Sequence, residues 1–272
     1  MTEIESARRR GHSSGRLLIV AGSDSGGGAG LQADLKTAMA MGVYAMSAVT
    51  AVTAQDTHRV HRVLHTPADL VALQMQTALR DIGADAIKTG MLCSNETIDA
   101  ILDTLATCAA GLPLIVDPVL TATSGEPLLE PAAEVALRDR LMRRAYLVTP
   151  NTPEAERLTG LPVTNRDEML RAGQHLIAMG ARAALITGGH LGGTEVTDLL
   201  VSDAGVREFV AIRVDTPHTH GTGCTLASAI AAGIAKGATL TDATARAHAY
   251  VQRAIRTASG LGGGRGPLNH LA

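Results

Sequence analysis

The stretch His218-Thr219-His220-Gly221-Thr222-Gly223-Cys224-Thr225 sets a thiol in a loop of small residues and runs straight into the alanine-rich segment 226–235, which has the composition of a buried helix. The start of a helix leaves backbone N–H groups unpaired and carries partial positive charge, so such a loop can hold a phosphate or another anion. Gly221 and Gly223 let the backbone approach an anion closely and take up conformations closed to other residues. Two readings of Cys224 stand at this point: a thiol at the anion site, or a small buried hydrophobe in an ordinary glycine-rich helix start.

A second glycine loop follows the apolar run 16–21: Gly22-Ser23-Asp24-Ser25-Gly26-Gly27-Gly28-Ala29-Gly30, with a helical pattern beginning at Leu31. It lacks the Gly-Lys-Ser/Thr ending of a P-loop. Gly28-Ala29-Gly30-Leu31-Gln32-Ala33 formally meets the dinucleotide fingerprint. The next apolar segment, 44–55, supplies no acid to hold a ribose before Asp56, whose spacing is too long. A dehydrogenase is excluded.

Six further pieces fall in a fixed order. They are Gln32-Ala33-Asp34-Leu35-Lys36-Thr37, Thr53-Ala54-Gln55-Asp56-Thr57, Lys88-Thr89-Gly90-Met91-Leu92, Val116-Asp117-Pro118-Val119, Thr149-Pro150-Asn151-Thr152-Pro153-Glu154-Ala155 and Gly188-Gly189-His190. With the two loops, they resemble the ribokinase-superfamily enzymes of vitamin synthesis, and most closely the hydroxymethylpyrimidine/phosphomethylpyrimidine kinases. The resemblance runs from about residue 17 to about residue 269. It implies a ribokinase-like three-layer α/β fold, with a mostly parallel central sheet and helices on both faces. It also implies ATP and Mg²⁺ as cofactors, and phosphorylation of 4-amino-5-hydroxymethyl-2-methylpyrimidine and then of its monophosphate, for thiamin synthesis.

The resemblance distributes roles along the chain. Gly221, Thr222, Gly223 and Cys224 would form the anion hole for the transferring phosphoryl group. Sugar kinases of the superfamily carry an Asp base where this chain has Cys224, and a helix start favours a thiolate there. Asp34 and Gln55 would lie at the pyrimidine, where an amide suits adjacent ring nitrogen and exocyclic amine. Otherwise Asp34 is a solvated acid of a first helical turn and Gln55 a strand-end cap. Gly22, Ala29 and Met91 would shape the pocket, Met91 being otherwise a core residue. Asn151 and Glu154 match an Asn-x-x-Glu signature resembling a Mg²⁺–phosphate water network, with Glu154 holding the metal through water; a plain helix-start cap is the alternative. Asp117 and Gly188 complete the nucleotide side. Cys93 and Cys108 read as buried packing.

Some positions depart from the family. Many relatives carry Lys where this chain has Thr187, some carry Lys at the position of Thr123, and Ser25-Gly26 replaces a common Pro-Ser. Two phosphate-facing cations are thus missing. Pyridoxal/pyridoxine kinase is the enzymatic rival, although a pyridine lacks the amine that Gln55 would read. A non-catalytic vitamin-binding sensor is the rival of a different class, and the 221–224 loop and Glu154 speak against it.

These residues need a scaffold. The 272 residues show no linker, repeat or low-complexity tract, so residues 16–272 read as one domain behind a disordered tail, 1–15. Arg8-Arg9-Arg10 in that tail is followed by no close apolar run and does not read as a signal peptide. Strands are expected at 17–21, 45–53, 86–89, 114–117, 146–149 and 183–187, several as continuous apolar runs suited to a parallel sheet covered on both faces. Residues 197–201 and 209–214 read as an antiparallel edge hairpin. Helices are expected at 31–41, 67–82, 95–108, 131–143, 166–179, 224–236 and 240–259. Most motifs follow strand ends, where such sheets bind ligands. Aromatics are 1% of the chain and the net charge is −2, which argues against a nucleic-acid or membrane partner. Three cysteines without metal-type pairing fit a reduced, cytoplasmic enzyme. A homodimer is the assembly expected.

Overall fold

A computed structural model describes residues 15–122 and 125–272. The tail expected to be disordered, up to residue 14, and Thr123 lie outside the described residues. In chain order the elements are β1 (Arg16–Asp24), α1 (Gly30–Ala40), β2 (Tyr44–Gln55), β3 (Val60–His65), α2 (Ala68–Asp81), β4 (Ala86–Thr89), α3 (Asn95–Cys108) and β5 (Leu114–Val116). There follow α4 (Pro131–Ala136), β6 (Leu147–Val148), α5 (Thr152–Thr159), α6 (Arg166–Ala178), β7 (Ala184–Ile186), β8 (Glu195–Ser202), β9 (Gly205–Ile212), α7 (Thr222–Ala235) and α8 (Leu240–Arg256).

One sheet runs β3-β2-β1-β4-β5-β6-β7-β8-β9. Its centre, β2 to β7, is parallel, while β3 at one edge and β8–β9 at the other pair antiparallel. The alternation of side chains along β1 shows why both faces must be covered. Leu18 and Val20 enter a core with α2, α3 and α6, whereas Leu17, Ile19 and Ala21 enter a second core with α7 and α8. With so few aromatics, short aliphatic side chains fill both layers; Tyr250 is the bulkiest fully buried side chain, its hydroxyl donating to the His270 carbonyl at 2.8 Å.

Strand order reverses at β1, whose neighbours are β2 on one side and β4 on the other. That reversal opens a crevice beyond the carboxyl ends of β1 and β4. Gly22 and Met91 meet there, and a Cβ at Gly22 would stand 2.9 Å from the Met91 sulfur.

Three expectations need adjustment. β3 was not anticipated. The helix expected over 131–143 is α-helical only to Ala136, then widens to a π turn over Leu137–Leu141 and tightens to a 3₁₀ turn over Met142–Arg144. The last helix stops at Arg256 rather than 259.

Candidate active site

The two glycine loops, from opposite ends of the chain, meet over the crevice. Asp24 closes β1, and its carboxylate accepts from the amides of Gly26 (2.8 Å), Gly28 (3.0 Å) and Ala29 (2.8 Å). His220 Nε2 lies 3.0 Å from the same carboxylate and joins the loops. Burial alone would raise the Asp24 carboxyl, but His220 and the Ala29 and Gly26 amides outweigh it and hold the group below its usual range. Gly221 caps α7 in the left-handed conformation, φ 83°. A Cβ there would come within 2.9 Å of the Gly28 carbonyl carbon and nearer still to its oxygen, so glycine alone lets the loops touch.

A cavity of about 960 Å³ runs from these loops across the strand ends. At one end stand Gly22, Ala29, Gln55 and Met91; Gly221–Cys224, Asp117, Asn151 and Glu154 line its middle. The Gln55 amide nitrogen lies 3.4 Å from His220 Nε2, so its polar edge faces the cavity beside the imidazole. Gly223 is exposed to the cavity, as an anion hole requires. The far end is walled by Val196, Ile212, Leu226 and Val251, and it holds two buried polar atoms without a hydrogen-bond partner, His248 Nε2 and Gln252 Oε1. An apolar slot with such atoms suits a flat heteroaromatic ring.

Asp34 does not line this cavity. α1 turns it inward, where it is wholly buried, and the Lys88 ammonium sits 2.9 Å from both carboxylate oxygens while the Ser228 hydroxyl donates at 2.7 Å. The direct pyrimidine contact expected of Asp34 is thereby corrected, because its lone pairs are taken up beneath the site. Lys88 is equally buried and lies 3.5 Å from Asp117. Burial would lower the Lys88 ammonium, but Asp34, Cys224 and Asp117 hold it above its usual value. Gly188 also stands behind the wall: its amide donates to Asp198 at 3.0 Å, and a Cβ would collide with the Thr197 carbonyl. Thr187, Gly189 and His190 are the residues of that segment that reach the cavity.

Cys224 is half-buried in the first turn of α7. Burial pushes its thiol well above the usual value; Lys88 opposes this, and Asp117 and Asp34 reinforce it. The lowering expected from the helix start is outweighed by burial, to which the two neighbouring carboxylates add. Asn151 and Glu154 form a reciprocal capping box on α5, Glu154 N donating to Asn151 Oδ1 at 2.9 Å and Asn151 N to Glu154 Oε2 at 3.0 Å. Both also line the cavity, so the capping reading and the ligand-side reading coexist. Burial and then Asp117 push the Glu154 carboxyl up to about 8. Asp117 Oδ2 is buried with no hydrogen-bond partner. Glu154 beside Asp117, whose Oδ2 has only the Lys88 ammonium at 3.5 Å, suits a divalent cation that takes its remaining ligands from phosphate and water.

Several site residues carried no expectation. Asp24 had a local signal, since an Asp before a glycine run commonly gathers the following amides. Lys88 had another, a lysine inside the short apolar run 86–89, where only a paired ammonium is tolerated. Nothing local marks His248 or Gln252.

A family model described as phosphomethylpyrimidine kinase matches residues 24–269. The hydroxymethylpyrimidine/phosphomethylpyrimidine kinase of Rhizobium meliloti is 47% identical over 257 residues, covering 93% of this chain and 96% of that protein. The thiamine biosynthesis bifunctional protein ThiED of Geobacter sulfurreducens is 47% identical over 264 residues, and the chain spans only 54% of its length. Among solved structures, an ADP complex of Bacillus subtilis pyridoxal kinase superposes with a TM-score of 0.87 at 35% identity, covering 94% of this chain and 97% of the other. Phosphomethylpyrimidine kinase from Clostridium difficile superposes with a TM-score of 0.79 at 40% identity, covering 88% and 99%.

Proposed function

The chain belongs to the phosphomethylpyrimidine kinase family, and from that premise we propose that it transfers the γ-phosphoryl group of ATP to the hydroxymethyl group of 4-amino-5-hydroxymethyl-2-methylpyrimidine, and then to the resulting monophosphate. The observation that carries this reading is the single cavity in which the Gly221–Cys224 helix start faces Gln55, Gly22 and Met91.

In this reading the pyrimidine lies between Gly22 and Met91, with Gln55 at its amine edge. The nucleotide base occupies the far end, where Gln252 Oε1 has no hydrogen-bond partner and His248 Nε2 has only Asp198 Oδ2 at 3.9 Å. The amides of 221–224 receive the transferring phosphoryl group, whose negative charge they stabilise through preorganised dipoles. Glu154 would hold Mg²⁺ through water, with Asp117 adding charge, and the ion would neutralise phosphate oxygens. Cys224 accepts the alcohol proton as the oxygen attacks. Its thiol stands protonated at neutral pH in the free protein, so the proton must leave on nucleotide binding or pass to Asp117, where burial holds the carboxyl above its usual value against Lys88 and the hydrogen bond of the thiol.

No helix among the described residues is long and apolar enough to cross a membrane. We place the reaction in the cytoplasm, where thiols stay reduced. Val52 and Leu64, paired across β2–β3, are 52% and 64% exposed. That apolar patch supports pairing of two copies, testable by sedimentation of the Leu64→Glu variant. The functional test is mass-resolved product analysis with ATP and Mg²⁺ acting on the pyrimidine alcohol, its monophosphate and pyridoxal in parallel. The diphosphate is expected from both pyrimidines; absence of product from both refutes the reading. Pyridoxal phosphate as the main product would favour the activity named for the structural relatives.

A further inference from the structure

Helix α8 turns one stripe of side chains into the far end of the main cavity. His248, Val251, Gln252 and Ile255 line it at i, i+3, i+4 and i+7, the spacing of a single helical face. The other walls there are largely aliphatic, Val196 of β8 and Leu226 of α7 among them. Such a slot leaves the choice of ligand to its few polar atoms.

Those atoms are mostly acceptors. Gln252 Oε1 is buried and has no hydrogen-bond partner among the described residues. Asp198, 7% exposed on β8, accepts from Gly188 N at 3.0 Å through Oδ1, while its Oδ2 lies 3.9 Å from His248 Nε2. Burial pushes the Asp198 carboxyl up to about 6, which still leaves it charged at neutral pH. The His248 ring, flanked by Phe209 with centroids 6.0 Å apart, therefore meets a carboxylate at Nε2, too far away for a hydrogen bond. The cation of the neighbouring rim is engaged elsewhere: Arg213 donates from Nε, Nη1 and Nη2 to the carbonyls of Gly193, Gly189 and Leu191.

Resting on the kinase reading above, we infer that this end of the cavity selects a nucleobase by its exocyclic amine, and that Gln252 is the specificity-determining residue, its side-chain oxygen accepting from the 6-amino group of adenine. A 6-oxo purine turns lone pairs toward the same oxygen and toward the Asp198 charge, and both repel it. Turning the Gln252 amide over to offer its NH₂ leaves that charge in place, so rotation does not restore the balance. A site built around a buried hydrogen-bonding group rejects the analogue that leaves it unpaired far more strongly than an apolar wall rejects a change of shape. The stripe thus divides its work, with Val251 and Ile255 covering a flat ring and Gln252 reading its edge.

The test is titration calorimetry with Mg²⁺ and no acceptor, comparing three triphosphates that differ in the group at purine C6: ATP (amine), purine riboside triphosphate (hydrogen) and inosine triphosphate (oxo). Purine riboside triphosphate should bind about 10-fold more weakly than ATP, and inosine triphosphate about 10-fold more weakly again. Gln252→Met keeps the length of the side chain and removes the acceptor, so ATP and purine riboside triphosphate should bind it alike, with melting curves as a fold control. Equal binding of all three by the unsubstituted protein, or an undiminished advantage of ATP in Gln252→Met, overturns the assignment. If Gln252→Met does not fold, the unsubstituted protein decides, because inosine triphosphate binding as well as purine riboside triphosphate refutes an acceptor edge. Binding is read apart from transfer: the stated ranking in a protein that phosphorylates neither pyrimidine supports the base preference and refutes the kinase reading, whereas no binding of any triphosphate overturns both.

Discussion

The contact between Gly221 and Gly28 can be tested against an internal control. Gly221 and Gly237 flank α7 with nearly the same backbone, φ 83° and 82°, but a Cβ at Gly237 meets nothing within 4 Å. Alanine at either position takes up the left-handed penalty, about 1–2 kcal/mol. For a protein of this size that lowers Tm by about 2–8 °C. At Gly221 the methyl also stands 2.9 Å from the Gly28 carbonyl carbon and 3.1 Å from Ala29 Cα, and nearer still to the Gly28 oxygen. Ordinary contact begins near 3.4 Å, so the two loops must part by roughly an ångström and a half at the oxygen. A displacement of that size between reacting groups costs about 10²-fold in rate. Gly221→Ala should therefore lose two orders of magnitude in phosphoryl transfer and melt a few degrees below Gly237→Ala, which should keep its activity. Initial rates of ADP release and thermal melts of both variants measure this. Equal activity of the two variants would refute the idea that loop contact sets the anion hole.

Other expectations follow from the same geometry. Cys224→Ser should slow the alcohol step by about 10²–10⁴-fold and the second step far less, since a phosphate oxygen needs no base; near-normal rates in both would make the thiol structural. Because the thiol is held protonated, the alcohol step should accelerate as pH rises above neutral while the monophosphate step stays flatter, as a pH–rate series would show. Gln55→Leu should weaken pyrimidine binding by about 1–3 kcal/mol with unchanged melting, read by calorimetry; unaltered affinity would dismiss the amide contact. Glu154 has its folded-state pKa raised from about 4.5 to about 8, so the folded protein holds the extra proton between those values and stability falls as pH rises through that window. Glu154→Gln should flatten that fall and raise the Mg²⁺ requirement more than the pyrimidine KM; an unchanged pH dependence of melting would contradict the buried-carboxyl assignment.

Sheet and helices were legible because buried strands such as 17–21 and 114–116 are unbroken apolar runs between turn signals. β3 was not, because Val60–His65 is an edge strand exposed at most positions, and it carries no two-residue alternation to read. The π turn after Ala136 escaped notice because Leu137, Leu141 and Met142 keep helical spacing, and local propensity does not say which carbonyl an amide will choose. At the site, the family resemblance singled out Gly221–Cys224, Gln55, Asn151 and Glu154, and all of them line the cavity. Asp34 misled because an acid in a helical pattern reads as solvated or ligand-facing. Its partners Lys88 and Ser228 lie 54 and 194 residues away, and only the folded topology brings them together.

That buried quartet, Asp34, Lys88, Asp117 and Ser228, also bears on how the chain can change over generations. It draws one member each from α1, β4, the loop after β5, and α7, and three of the four carry charge in a dry interior. Removing one partner of such a cluster typically costs about 3–5 kcal/mol, whereas replacing the whole by apolar groups can be neutral. Single substitutions here fall into a valley, and the viable exit requires several simultaneous changes in distant parts of the gene. The acceptor wall a few residues away has no such lock, because Gly22 and Met91 meet through a flexible thioether that yields to small steps. Drift in substrate preference can therefore proceed along the wall while the floor beneath it stays fixed.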